Sequence, residues 1–99
     1  MLKIIYTEQG NSYSDFNLLE NAQFIIDQYK KKIDQNNRDV IVKLSTENII
    51  HALRVLISRG ELPHNELCII FNEHTITLNE YCEFTKTSTR IHGLGSKNF

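Results

Sequence analysis

Hydrophobic positions in this chain switch period from one segment to the next. Leu2-Lys3-Ile4-Ile5-Tyr6 is a short apolar run rich in β-branched and aromatic residues that breaks at Glu8-Gln9-Gly10-Asn11-Ser12. This predicts a buried strand ending in a loop. Leu18, Leu19, Ala22, Ile25, Ile26, Tyr29 and Ile33 then recur at spacings of three and four, the apolar stripe of a helix of about 18 residues. Asp15 or Asn17 is placed to cap its first turn, and Asn17 with Glu20 approximates a capping box. Lys30-Lys31-Lys32 suits the negative end of the helix dipole, and Gln35-Asn36-Asn37-Arg38 closes it as a polar turn.

The pattern then repeats. Asp39-Val40-Ile41-Val42-Lys43-Leu44 predicts a second strand, and Ser45-Thr46 offers an N-cap. Ile49, Ile50, Ala52, Leu53, Leu56 and Ile57 form a second helical stripe, stopped by Gly60 at the C′ position and by Pro63. Leu67 to Phe71 is a third strand, Asn72-Glu73-His74 a tight turn, and Thr75-Ile76-Thr77-Leu78 a fourth strand. Tyr81, Glu83 and Phe84 add a short final one. The expected fold is a single small α/β domain of order β-α-β-α-β-β over residues 1–84. Its sheet is mostly parallel with right-handed crossovers and an antiparallel C-terminal hairpin. Residues 85–99 lack periodicity and are expected to be a flexible tail.

Composition narrows this picture. Ninety-nine residues suffice for one core, and 40% hydrophobic with 23% charged residues excludes collagen-like, disulfide-scaffold and wholly disordered chains. A net charge of −1 gives no global attraction to nucleic acid or anionic lipid. No apolar run approaches the roughly 20 residues of a membrane span, and the N-terminus does not read as a secretion leader. With two cysteines, Cys68 and Cys82, these features lead us to expect reduced thiols and a cytoplasmic protein. Thirteen Ile and ten Asn against three Val and two Ala suit an AT-rich gene, common in phages, other mobile elements and low-GC bacteria.

The candidate chemistry is sparse. Glu8 and Gln9 follow the carboxyl end of a buried strand, where ligands of open α/β sheets bind. There Glu8 can hold Mg²⁺ and Gln9 orient water, although a polar turn with Gly10 at positive φ explains the same residues. Ser45, Thr46 and Glu47 lie at the end of the next strand and read either as a second loop facing the first or as an N-cap. Glu47 and His51 are one helical turn apart, but two ligands do not make a metal site. No Cys-x-x-Cys, Gly-rich phosphate loop or nucleophile signature is present, so neither a metal nor a cofactor is expected.

In order and spacing, the stretch from Ile4 to Phe71 resembles the C-terminal half of an OLD-like ABC-type ATPase domain. These ATPases occur in bacterial defence systems and beside nucleases. The family's Walker B strand runs into Glu-Gln-Pro-Glu-Ser, where this chain has Glu8-Gln9-Gly10-Asn11-Ser12. Its next strand ends in Glu-Thr-His-Ser-Glu, against Lys43-Leu44-Ser45-Thr46-Glu47 here. Arg54, Gly60-Glu61-Leu62 and Glu66-Leu67-Cys68-Ile69-Ile70-Phe71 follow the family's later helix, turn and strand. The resemblance implies that Glu8 occupies the Mg²⁺-binding position, Gln9 the water-orienting position and Ser45 the place of the switch histidine. The family's Walker A loop and signature segment have no counterpart in this chain, which implies no autonomous ATPase activity. The expectation is therefore a non-catalytic module that binds a protein, an ATPase in particular, as a phage or mobile-element inhibitor of a defence ATPase would. Two alternatives remain: a split-ATPase subunit lending Glu8 and Gln9 to another chain, and a remnant that dimerises through an open sheet edge.

Overall fold

The computed structural model describes residues 1–35 and 39–88. Strand β1 (Leu2–Asn11) is followed by helix α1 (Leu18–Asp34), β2 (Val40–Leu44), α2 (Asn48–Ser58), a 3₁₀ turn at His64–Glu66, and strands β3 (Leu67–Phe71), β4 (His74–Leu78) and β5 (Phe84–Ser88). They form one five-stranded sheet in the order β2-β1-β3-β4-β5. The small α/β domain matches the expectation, but the sheet is mixed and not mostly parallel. β1 pairs in parallel with β2 and β3, whereas the β3–β4 and β4–β5 pairs are antiparallel. The second antiparallel pair exists because β5 runs from Phe84 to Ser88, into the stretch read as a tail from residue 85. Thr85 and Thr87 are β-branched residues of the kind that suits a strand, and Thr85 Oγ1 lies 3.0 Å from Thr77 Oγ1 of β4. Residues 89–99 lie outside the described residues.

Period-2 alternation separates the two faces of the sheet. Leu2 and Ile4 of β1, Val40 and Leu44 of β2, Leu67 and Ile69 of β3 and Leu78 of β4 are buried on one face. Ala22, Ile25, Ile26 and Tyr29 of α1 and Ile49, Ala52, Leu53, Leu56 and Ile57 of α2 complete the same core. Both helices therefore cover a single face, and they pack against each other. The β1-to-β2 crossover and the β2-to-β3 crossover run in opposite directions across the sheet. Sharing one face, they have opposite hands, so the expectation of two right-handed crossovers is corrected.

Local chemistry sets the boundaries. α2 ends as expected in a Schellman motif. Gly60 takes φ +91°, its N–H donates to Ile57 O at 3.0 Å, and Glu61 N–H donates to Leu56 O at 3.1 Å. The α1 start differs from the expected capping box. Asn17 occupies the N-cap at φ 59° with no side-chain capping bond, and Asp15 is engaged elsewhere. The β3–β4 hairpin turn is Asn72-Glu73, with Asn72 at φ 55° in the left-handed region that Asn tolerates; His74 already belongs to β4.

Candidate functional site

Parallel pairing puts the ends of β1 and β2 at one edge of the sheet, and the two loops picked out in the sequence meet there. β1 pairs with Leu44 at Tyr6 and again at Asn11, so Thr7 to Gly10 form a wide bulge between two bridges to the same residue. Glu8 and Gln9 lie in this bulge, exposed, and their side chains make no hydrogen bond among the described residues. Gly10 is required here, although its φ is not positive. A Cβ at this position would lie 2.5 Å from Leu44 N and C and 2.6 Å from Lys43 C. Close approach to the β2 backbone, rather than a special dihedral, excludes a side chain.

The second loop binds the first. Ser45 N–H donates to Asn11 O at 2.8 Å, and Ser45 Oγ approaches the same carbonyl at 3.3 Å. Thr46 Oγ1 accepts from Tyr13 N–H at 3.2 Å. Asn48 Nδ2 donates to Tyr13 O at 2.7 Å and to Asp15 Oδ1 at 2.9 Å, which leaves Asn48 Oδ1 buried without a partner among the described residues. Neither Ser45 nor Thr46 caps α2; Glu47 occupies the N-cap, without a side-chain capping bond. The structure thus brings Ser45 and Thr46 against the β1–α1 loop as its anchors, and Glu47 remains exposed beside them.

Glu47 and His51 also line a pocket of about 280 Å³ between α2 and the sheet. Its remaining walls are apolar: Tyr6 of β1, Ile50 of α2, Ile69 and Phe71 of β3, and Phe84 of β5 among them. Tyr6 and Phe71 stack at 5.0 Å with a 60° tilt, and His51 meets the Phe84 ring edge-on at 5.9 Å. Arg54 clamps the far side, with its guanidinium 5.4 Å from the Phe84 centroid and its Nε–H donating to Cys82 O. Glu8 and Gln9 do not line this pocket. Among the described residues, no group of three or more His, Cys, Asp or Glu side chains is placed to hold a metal.

Among the described residues, no helix covers the opposite face of the sheet. Lys3 and Ile5 of β1, Ile41 and Lys43 of β2, and Cys68 and Ile70 of β3 point there, and none of them is buried. Ile41 is 57% exposed. Burial pushes the Cys68 thiol above its ordinary pKa of 9.0, against the opposing pull of Lys3. Threonines 75 and 77 of β4 extend this surface as polar positions. This face escaped the reading of the chain because alternation gives the faces and not which one the helices choose. A second missed feature was legible. Phe24 sits outside the α1 apolar stripe and is 63% exposed, with Phe16 at 78% one helix end away.

No helix among the described residues is long and apolar enough to cross a membrane. No protein-family model matches the chain, no curated protein matches it, and no solved structure does.

Proposed function

We propose that this chain is a non-catalytic protein-binding module that docks its partner on the uncovered face of the sheet. The observation that carries this reading is the solvent-facing placement of Ile5, Ile41 and Ile70 on three mutually parallel strands. Parallel strands are otherwise found with both faces covered, and an apolar surface left open by a small domain marks an interaction site. From the motif resemblance, the partner is an ATPase, with the chain occupying an ATPase–ATPase or ATPase–effector surface as a mobile-element inhibitor would.

Affinity capture from lysate of the cells that carry the gene tests the reading, comparing the natural chain with Ile41→Glu. Because Ile41 is largely exposed, the substitution leaves stability within about 0.5 kcal/mol. It removes at least roughly 1.5 kcal/mol of apolar burial at an interface, a loss of tenfold or more in affinity. Equal retention of the same protein by both forms sinks the reading. A second reading, the split-ATPase subunit, draws on the exposure of Glu8 and Gln9 in their bulge. It requires Glu8→Gln to abolish Mg²⁺-dependent ATP turnover in the assembled complex, and an unaltered rate excludes it.

A further inference from the structure

We infer that the uncovered sheet face receives an acidic amphipathic helix of the partner protein. This rests on the binding-module reading and names the chemistry of its occupant. The strand register sets Ile41 of β2 beside Lys3 of β1, and Lys43 of β2 beside Ile5 of β1, which in turn pairs with Ile70 of β3. Ile41 is therefore diagonal to Ile5, and Ile5 lies level with Ile70, so the three isoleucines make one apolar stripe across β2, β1 and β3, with a lysine on either side. Strands are about 4.8 Å apart, so the stripe covers about 10 Å across the sheet. The apolar positions i, i+3 or i+4, and i+7 of a helix span the same distance at a rise of about 1.5 Å per residue. Helices are also what α/β proteins lay on the faces of parallel strands.

Charge selects the sign of the occupant. Lys3 and Lys43 are the charged side chains pointing from β1, β2 and β3 onto this face. Asp39, at the margin, is drawn to the amino terminus at 3.6 Å and to Lys3 at 3.4 Å. Lys43 has no ion pair among the described residues. A carboxylate beside an apolar stripe answers Lys43, and one on the other flank joins Asp39 at Lys3. A second copy laid face to face would gather four lysines in one interface, at a cost in like-charge repulsion. Nucleic acid would find two cations and, among the β1, β2 and β3 residues of this face, no aromatic side chain on which to stack a base; Tyr6 and Phe71 lie on the other face.

The test places a photo-crosslinking amino acid at position 41 of the full chain in the cells that carry its gene, and maps the adducts by mass spectrometry. The expected adducts fall on one protein, in a segment with apolar residues at helical spacing and Asp or Glu between them. Lys43→Glu is expected to lower their yield roughly tenfold, and Lys43→Gln to lower it less. Lys30→Glu, at the far end of α1, leaves the yield unchanged. Adducts on a basic or strand-forming segment, on a second copy or on nucleic acid overturn the inference, as does a yield indifferent to both Lys43 variants. Absence of any protein adduct overturns the binding-module reading itself, so the two failures are distinct.

Discussion

Two glycines in this chain do different physical work. Gly60 follows an apolar stripe and precedes Pro63, and its φ of +91° is the C′ geometry which that pattern announces. Gly10 looked like a turn residue, but its role is to let two backbones touch, a relation between positions more than thirty residues apart that no local pattern records. Gly60→Ala therefore costs about 1 kcal/mol for a left-handed Ala with open space around it. Gly10→Ala costs at least about 2 kcal/mol, because backbone on both sides must move. Urea denaturation of the two variants checks the ranking, and a Gly10→Ala as mild as Gly60→Ala contradicts the close approach. Tyr29 supplies a second test at this scale. It is 2% exposed and donates to Glu66 Oε1 at 2.7 Å. Burial first, then the Glu66 hydrogen bond and charge, push its pKa up to about 12. The folded value lies above the ordinary 10.0, so the contribution to stability is complete below about pH 10 and is lost as pH rises through about 12. Tyrosinate absorbance should show one tyrosine titrating late in the folded chain, and Tyr29→Phe should remove that late step.

Among the elements, both helices and the first four strands were readable from periodicity, because each carries an apolar stripe or alternation of its own. The fifth strand was placed too early, at Tyr81, Glu83 and Phe84, of which only Phe84 belongs to it. Thr85 and Lys86 are exposed, so β5 announces itself only through pairing with β4 across an Asn79-centred turn, in which Asn79 Oδ1 accepts from Tyr81 N–H and Glu83 N–H. The N-caps read for Ser45, Thr46 and Asp15 failed for a related reason. Those side chains bond across loops that are distant in sequence and adjacent only after β1 and β2 pair. Asn48 is the clearest member of this stitching, with two donations into the β1–α1 loop. Asn48→Ala should cost about 1–3 kcal/mol and raise amide exchange selectively over residues 11–15. Uniform exchange across the chain would assign Asn48 to helix stability instead.

At the scale of the whole molecule, the described residues cover the five-stranded sheet with helices on one side only. At the carboxyl edge, Ser45 and Thr46 anchor the first loop, Glu47 lines an apolar pocket, and Glu8 and Gln9 stand apart from it. What the fold leaves unbalanced is the far face, where Ile5, Ile41 and Ile70 lie next to Cys68 and two lysines. Cys68 is half-buried there, while Cys82 packs against the helix-covered core, so the two thiols report on opposite sides of the sheet. The direct measurement is the alkylation rate of each cysteine, followed by mass spectrometry in the isolated chain and in lysate of the cells that carry its gene. A docked partner slows Cys68 in the lysate and leaves Cys82 at its isolated rate. Cys68 reacting equally fast in both settings would contradict docking on the uncovered face.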